Sequence, residues 1–200
     1  MQSITILGAT GSIGRSTLDV IGQHLDKYSV FALTGQSQLK LLAQQSVEFN
    51  AKYAVVTDEA SAKQLSQIIK DLKGQTEVLF GEQALCDVAS SSQVQVVMAA
   101  IVGAAGLLPT LSAVESSKKV LLANKESLVM AGSIFMHAVQ QHSANLLPID
   151  SEHNAIFQCL PSNNALDSQT AVKKLILSAS GGPFRTWTAE QMQSVTPEQA

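Results

Sequence analysis

A glycine-rich turn directly follows the first apolar stretch of the chain and limits the folds that the chain can adopt. The run SITIL reads as a buried strand, and GATGSIG, residues 8–14, follows it with a glycine at every third position. Gly8 permits a tight turn, Gly11 leaves the backbone open to an anion, and Gly14 lets the next helix pack closely. This spacing is typical of the first strand–turn–helix unit of a nucleotide-binding α/β fold.

The rest of the chain repeats the order of strand and helix as far as about residue 149. Parallel strands joined by helices pack into a doubly wound sheet, so we predict an α/β fold with a Rossmann-like, mostly parallel sheet. Each predicted strand precedes a predicted helix. The strands are SITIL, YSVFAL, YAVVT, TEVLF, VQVVMAAI, KKVLLAN and ANLLPI.

The pattern changes near residue 150, where we place a domain boundary. Residues 1–149 are expected to form the nucleotide-binding domain, and residues 150–200 the first part of a truncated α+β catalytic domain. PSNNALDSQTA, at 161–171, reads as a loop, after which VKKLILSAS resumes as a strand. Thr188 and Thr196 read as helix N-caps, so the chain is expected to stop inside a helix.

The composition argues against several other classes of protein. A formal net charge of −3 without a basic block argues against nucleic acid as a partner. The longest apolar run, VVMAAIVGAAGLL, is too short and glycine-rich for a membrane span, and the N-terminus lacks a secretory signal. Cys86 and Cys159 fit no metal spacing, and we interpret both as reduced thiols, with Cys159 buried on a helix. These features predict a cytoplasmic protein.

The second predicted strand indicates which dinucleotide is bound. NAD sites usually carry an acid at the end of this strand, where it binds the ribose 2′-hydroxyl, whereas SVFALTGQSQ contains none. An acid there would repel a 2′-phosphate, so its absence favours NADP. The candidates for binding this 2′-phosphate are Arg15, Lys40 and the polar pair Gln36 and Ser37, and the sequence does not decide between them.

A second group of polar residues, PIDSEHN, follows the last predicted strand. Asp150 and Glu152 flank Ser151 at the edge of the sheet where α/β proteins place ligands. Two carboxylates suit Mg²⁺ or Mn²⁺, but the same spacing suits a helix N-terminus capped by Asp150 or Ser151. The spacing alone slightly favours the helix cap. His153 reads as a hydrogen-bonded or core histidine rather than as a third ligand.

Three further features bear on chemistry. Lys125, in ANKES, ends another strand and suits a substrate phosphate or carbonyl, with a surface loop as the equal alternative. Ser178 and Ser180 precede paired glycines, which fits either an anion-binding nest or an ordinary turn. The YxxxK pair, the GxSxG elbow and the Walker A lysine do not occur. Cys159 leaves a semialdehyde dehydrogenase with a thiol nucleophile as an alternative.

Taken together, five segments resemble one enzyme family. GATGSIG, AAIVGAAGLLPTL, LLANKESLV, PIDSEHNAIFQ and SGGPFR are similar, in this order, to the 1-deoxy-D-xylulose 5-phosphate reductoisomerases. The resemblance covers essentially the whole chain, and LLANKESLV and DSEHNAIFQ are its specific motifs. It implies an enzyme that rearranges 1-deoxy-D-xylulose 5-phosphate and reduces the product with NADPH to 2-C-methyl-D-erythritol 4-phosphate, in non-mevalonate isoprenoid biosynthesis. It also raises the metal interpretation of Asp150 and Glu152 above the helix cap.

The resemblance implies roles for individual residues. It assigns to NADPH the residues Thr10, Gly11, Ser12, Ile13, Gly35, Gln36, Ser37, Asn124 and Glu126. It assigns to a divalent metal (magnesium or manganese, with cobalt as a further candidate) Asp150 and Glu152, which are catalytic together with Lys125. It assigns to the sugar phosphate substrate Lys125, Ser151, Glu152 and Ser180. A homodimer is implied for the full-length protein.

Two departures from the family pattern matter. The family often has a Lys or Arg with Asn after the second strand, where this chain has GQSQ. The family also continues beyond this point with a flexible flap, a phosphate site, a third metal carboxylate and a helical domain. We therefore expect the 200 residues alone to be inactive. A catalytically silent NADPH-binding module stays open as an alternative.

Overall fold

A parallel sheet organises the first part of the molecule. The computed structural model describes residues 1–123, 125–160, 172–174 and 182–199. The chain divides into two compact units, Met1–Asn154 and Ala155–Ala200. The domain boundary that we place between residues 149 and 150 stays a prediction.

Strands and helices alternate along the first unit. The strands are β1 (Gln2–Leu7), β2 (Tyr28–Thr34), β3 (Tyr53–Val56), β4 (Glu77–Phe80), β5 (Val96–Ala99), β6 (Lys119–Leu122) and β7 (Asn145–Pro148). The helices are α1 (Ser12–Gly22), α2 (Leu39–Glu48), α3 (Glu59–Asp71), α4 (Glu82–Ser90), α5 (Leu107–Glu115), α6 (Glu126–Gln141) and α7 (Ser151–Cys159). The strands lie within a few residues of their predicted bounds, and a helix follows each strand as predicted. Among the described residues, no helix combines the length and apolar character needed to cross a membrane.

The strand order of the sheet is β4-β3-β2-β1-β5-β6-β7, and every neighbouring pair is parallel. The chain moves outward from β1 to β4, returns to β5 beside β1, and continues in the other direction. The sheet therefore has a switch point between β1 and β5, where α/β folds leave a crevice at the carboxyl ends of the strands. The predicted Rossmann-like α/β sheet is confirmed.

Helices cover both faces of the sheet because the central strands are apolar on both sides. On one face, helices α1, α2 and α3 pack on Ile4 and Ile6 of β1. On the other face, helices α4, α5 and α6 pack around Leu7 of β1 and the fully buried Phe135. Right-handed crossovers explain this division, because reversing the direction of strand addition moves the helices to the opposite face.

The described residues of the second unit include a short capped helix, α8 (Ala189–Met192). Thr188 Oγ1 accepts from the Gln191 N–H at 3.3 Å, and the Thr188 N–H donates to Gln191 Oε1 at 2.8 Å. These reciprocal bonds form a capping box. The predicted N-cap at Thr188 is confirmed.

Other predictions for this unit are tested only in part. The helix start predicted at Thr196 is a single 3₁₀ turn at Pro197–Gln199, in which the Thr196 N–H donates to Gln199 Oε1 at 3.0 Å. Another 3₁₀ turn lies at Gly182–Phe184. The predicted loop at 161–171 lies outside the described residues, as does residue 175 onward of the predicted strand VKKLILSAS.

Candidate functional site

The glycine-rich turn joins β1 to α1 in a conformation that requires two of its glycines. Gly8 has a φ of +86°, and a Cβ added to it would lie 2.7 Å from the carbonyl oxygen of Ala100. A Cβ added to Gly14 would lie 2.4 Å from the carbonyl oxygen of Gly8. A larger side chain at either position would displace the backbone. The predicted roles of Gly8 in the tight turn and of Gly14 in close helix packing are confirmed.

Two neighbouring elements hold this turn in place. The Gly8 N–H donates to Thr34 Oγ1, and the Ala9 N–H donates to the Thr34 carbonyl oxygen, both at 2.8 Å. From α2, Gln45 Nε2 donates to the Ala9 carbonyl oxygen at 3.3 Å. Thr34 and Gln45 are both buried. The turn is therefore fixed from the end of β2 and from the buried side of α2.

The N-terminus of α1 is open to a ligand. Gly11 is the N-cap residue, and no side chain in the described part of the chain caps the first turn. Helix α3, by contrast, has Asp58 as its N-cap, and the Asp58 carboxylate accepts from the Ser61 N–H at 2.8 Å. An uncapped N-terminus presents backbone N–H groups and the positive end of the helix dipole, which together bind phosphate. The turn therefore fits the pyrophosphate of a dinucleotide.

The end of β2 lies beside this turn. A Cβ added to Gly35 would lie 3.4 Å from Thr10 Cγ2, and the side chains of Gln36 and Ser37 are exposed. Helix α2 then begins without a side-chain cap and without an acid in its first turn. No carboxylate of this segment would therefore oppose a 2′-phosphate. Arg15 and Lys40, the two charged candidates for binding the 2′-phosphate, are also exposed.

The residues that follow β6 and β7 meet at one edge of the sheet. Lys125 Nζ lies 3.9 Å from Glu152 Oε2, and the Ser151 hydroxyl donates to Glu152 Oε2 at 2.9 Å. The Asp150 carboxylate accepts from the His153 N–H at 2.9 Å and pairs with the His153 ring at Nδ1. The structure thus brings Lys125 to the PIDSEHN segment, which the order of residues along the chain does not show.

Asp150 has the contacts of a helix cap, which was one of the two interpretations of its spacing. One oxygen accepts from the backbone of α7, and the side chain is only 12% exposed. A carboxylate offers about four lone-pair positions, so a cap also leaves capacity to bind a cation. His153 is a hydrogen-bonded histidine, as predicted. Capping and metal binding by Asp150 are therefore compatible.

Both carboxylates are held in the charged form. Burial would raise the pKa of Asp150, but hydrogen bonds from the backbone and ring of His153, with the charges of His153 and Lys125, outweigh it and lower that pKa below 3.8. The backbone N–H of Glu152, then the Ser151 hydroxyl and the Lys125 ammonium, lower the pKa of Glu152 below 4.5. Ionised oxygen donors suit a hard divalent cation. Within the described ranges, no group of three or more His, Cys, Asp or Glu side chains could hold a metal ion. Metal binding by Asp150 and Glu152 stays a prediction.

Some of the predicted site residues cannot be placed. Asn124, Ser178 and Ser180 lie outside the described residues. Glu126 is the first residue of α6, directly after Lys125, and lies at the carboxyl end of β6. Its proposed contact with a cofactor stays a prediction.

The sequence does not reveal the two side chains that hold the glycine-rich turn. Thr34 reads as one more β-branched residue of a strand, and Gln45 as one more polar residue of a helix. A weak signal existed for Gln45 alone, because it stands three residues after Leu42 and so shares the apolar face of α2. Its partner, Ala9, is distant in sequence, and only the folded chain shows the contact.

The interpretation of Cys159 as a buried thiol is wrong. Cys159 is exposed at the end of α7. The apolar residues around it in sequence do not form a core, since α7 has no buried residue. Cys86 is partly buried, and both cysteines are free.

Comparisons with known proteins point to one enzyme family. Residues 4–132 match the family described as 1-deoxy-D-xylulose 5-phosphate reductoisomerase, and residues 146–200 match the C-terminal domain of the same description. A 1-deoxy-D-xylulose 5-phosphate reductoisomerase from Saccharophagus degradans is 58% identical over 200 residues, and one from Cellvibrio japonicus is 57% identical over 204. Each comparison covers 100% of this chain and 51% of the relative, so the chain spans about half the length of the curated relatives it matches.

Solved structures with the same description share this fold. A DOX-P reductoisomerase in complex with magnesium matches with a TM-score of 0.85 and 46% identity, over 100% of this chain and 51% of that chain. The Zymomonas mobilis enzyme in complex with NADPH matches with a TM-score of 0.84 and 47% identity, over the same shares. A third structure contains NADPH, fosmidomycin and magnesium, and matches with a TM-score of 0.84 and 46% identity, over 100% of this chain and 50% of that chain.

Proposed function

This chain belongs to the 1-deoxy-D-xylulose 5-phosphate reductoisomerase family, and on that premise we propose that it supplies the cofactor site and two metal ligands of such an enzyme. The proposed reaction rearranges 1-deoxy-D-xylulose 5-phosphate to a branched aldehyde phosphate, which NADPH reduces to 2-C-methyl-D-erythritol 4-phosphate. The product would serve non-mevalonate isoprenoid biosynthesis. Because the chain spans half the length of its relatives, we propose turnover only for a protein that includes the other half.

One observation carries this proposal: the uncapped turn and the ionised carboxylates share one edge of a single parallel sheet. Strand β1 ends at the turn, and β5, β6 and β7 lie next to it in that order. Lys125 follows β6, and Asp150 follows β7. A dinucleotide bound at the switch point would lie along this edge. Hydride transfer to a substrate near the carboxylates requires such an arrangement.

The case for NADPH rests on the turn and on the end of β2. The first turn of α1 offers uncapped N–H groups to the pyrophosphate, and no acid opposes a 2′-phosphate beside Gln36. The proposed pyrophosphate contacts are Thr10, Gly11, Ser12 and Ile13. The proposed adenosine contacts are Gly35, Gln36 and Ser37. Asn124 and Glu126 are proposed to contact the cofactor after β6.

The case for a divalent metal rests on the donor chemistry of Asp150 and Glu152. Both are ionised carboxylates, which magnesium and manganese prefer and cobalt accepts. Bound there, a metal would act as a Lewis acid on adjacent hydroxyl and carbonyl oxygens of the substrate. Further ligands would come from the substrate, from water and from residues beyond those described.

The side chains around these carboxylates are suited to hold and orient the substrate. Lys125 Nζ is half exposed, so it can donate to a substrate oxygen and stabilise negative charge there. The Ser151 hydroxyl, which donates to Glu152, can turn to the substrate instead. His153 fixes the orientation of the Asp150 carboxylate. Ser180 is proposed to contact the substrate as well.

The remaining proposals concern partners and location. The substrate is a small sugar phosphate, and the full-length protein is proposed to be a cytoplasmic homodimer. We expect no nucleic acid or membrane as a partner. The formal net charge of −3 supports the first of these exclusions, because binding nucleic acid requires a basic surface.

A polypeptide that joins residues 1–200 to the second half of the Saccharophagus degradans relative tests the reaction. Its consumption of NADPH is followed by absorbance with 1-deoxy-D-xylulose 5-phosphate, with and without Mn²⁺. We expect metal-dependent consumption that the double variant Asp150→Asn/Glu152→Gln abolishes and the exposed control Asp26→Asn retains. A folded polypeptide that binds NADPH and metal without consuming NADPH would contradict the proposal.

The semialdehyde dehydrogenase alternative requires a nucleophilic thiol at Cys159. Both family matches describe the reductoisomerase instead. We therefore expect Cys159→Ala to leave the rate of the joined polypeptide unchanged. A large loss of rate in that variant would favour the alternative.

A further inference from the structure

We propose that Gln45 is a positioning residue for the pyrophosphate of NADPH, acting through the peptide bond between Ala9 and Thr10. This inference rests on the proposed cofactor. It concerns a side chain that lies behind the glycine-rich turn, on α2, and is not among the proposed cofactor contacts.

The first step is the burial of the Gln45 carboxamide. The residue is 6% exposed, and its Nε2 donates to the Ala9 carbonyl oxygen at 3.3 Å. Its Oε1 is buried and has no hydrogen-bond partner among the described residues. A buried, unpaired acceptor lowers stability, and an apolar side chain of similar length would fill the same space without it. We infer that the carboxamide is retained for the hydrogen bond that it donates.

The second step is the geometry of the peptide that Gln45 holds. The Ala9 carbonyl and the Thr10 N–H belong to one trans peptide, in which these two groups point in opposite directions. Drawing the carbonyl toward α2 therefore turns the Thr10 N–H away from α2. No described residue accepts a hydrogen bond from that N–H. It directly precedes Gly11, the N-cap of α1, and so adds a donor to the uncapped N-terminus.

The third step is that, among the described residues, Gln45 alone restrains this peptide. The preceding peptide is held on both sides, because the Ala9 N–H donates to Thr34 and the Gly8 carbonyl accepts from the Gly11 N–H at 3.2 Å. The peptide between Ala9 and Thr10 has, among the described residues, only the bond from Gln45. Without it, rotation of this peptide would turn the Thr10 N–H away from the phosphate.

The test compares two ligands of the 200-residue chain. NADPH contains a pyrophosphate, whereas adenosine 2′-monophosphate carries the adenosine and the 2′-phosphate with no phosphate at the 5′ position. For Gln45→Met we expect the Kd of NADPH to rise about tenfold, as for loss of one hydrogen bond to a charged group. The Kd of adenosine 2′-monophosphate should stay within about twofold of the wild type. The control is Ser46→Ala, which removes a buried hydroxyl bonded within α2 at 2.7 Å and should change neither Kd.

Each outcome decides the inference. Equal NADPH affinity in wild type and Gln45→Met overturns it, and so does equal weakening of both ligands, which indicates a general structural role. If Gln45→Met does not fold, Gln45→Leu gives the same comparison, since it is apolar, of similar size and lacks the donor. If the wild-type chain does not bind NADPH, both the proposed cofactor and this inference are overturned. If the wild type binds NADPH and the variant binds it equally well, only the inference is overturned.

Discussion

Lys125 Nζ and Glu152 Oε2 lie 3.9 Å apart, at the carboxyl ends of the neighbouring strands β6 and β7. Both side chains are half exposed. A cation proposed to contact the substrate therefore lies beside a carboxylate proposed to bind a metal. In the chain without substrate, the ammonium would compete with a metal bound at Glu152 for the same negative charge.

Replacing Lys125 should consequently strengthen metal binding. Two unit charges at about 4 Å interact by about 1 kcal/mol in water, so Lys125→Met should tighten Mn²⁺ binding to the chain about two- to fivefold at low ionic strength. The gain should shrink with added salt, because the pair is exposed. Titration of free Mn²⁺ by electron paramagnetic resonance measures this. Lys63→Met, which removes the partner of Glu59 on α3, is the matched control. Weaker binding in Lys125→Met would contradict the competition.

A carboxylate at the end of β2 should reverse the proposed preference for NADPH. Ser37 is exposed in the segment that lacks an acid. In Ser37→Asp, repulsion of the 2′-phosphate should raise the Kd of NADPH at least about tenfold, while NADH, which lacks that phosphate, should bind as before or better. Fluorescence titrations of the chain with both cofactors provide the measurement. Gln75→Asp, exposed before β4 at the opposite edge of the sheet, should change neither Kd.

Because Gly14 is closely packed, even a methyl group added at this position should lower the free energy of unfolding. A Cβ there would lie 2.4 Å from the Gly8 carbonyl oxygen, and such overpacking typically costs about 1–3 kcal/mol. Urea unfolding of Gly14→Ala should therefore show a loss of this size. Gly132→Ala, in α6 with nothing within 4 Å of the added Cβ, should be neutral or stabilising by up to about 1 kcal/mol. Equal free energies of unfolding for the two variants would show that the turn can adjust to the added methyl group without loss of stability.

The N-cap of α3 should make stability depend on pH in the acid range. Hydrogen bonds from the backbone and side chain of Ser61 lower the pKa of Asp58 below 3.8. The unfolded chain then binds this proton more readily than the folded chain. The contribution of Asp58 is therefore fully present above pH 3.8 and is lost as the pH falls through the lowered pKa.

Thermal unfolding of the wild type and Asp58→Ala at several pH values tests this dependence. The variant should be less stable at pH 7, and the difference should disappear in strong acid. Glu59→Gln, which removes an exposed pair with Lys63, should have little effect at any pH. A difference that persists unchanged in acid would mean that Asp58 stabilises α3 without its charge.

The amino-acid sequence by itself determined the alternation of strands and helices, the glycine-rich turn and the absence of an acid after β2. These features are local: apolar periodicity sets the secondary structure, and φ near +86° at Gly8 limits that position to glycine. Asp150 and Glu152 were also visible as a pair, although their spacing alone suited a helix cap as well as a metal site.

Only the tertiary structure decided which distant residues meet. The strand order places Lys125 next to Glu152, and packing of α2 on the sheet brings Gln45 to Ala9. Tertiary packing also decides which residues are buried. Cys159 has apolar neighbours in the sequence and is nevertheless exposed. Local sequence encodes the conformation of a segment. Contacts and burial depend on the order in which the strands join and on which helix faces meet, and these are set by the packing of the whole chain.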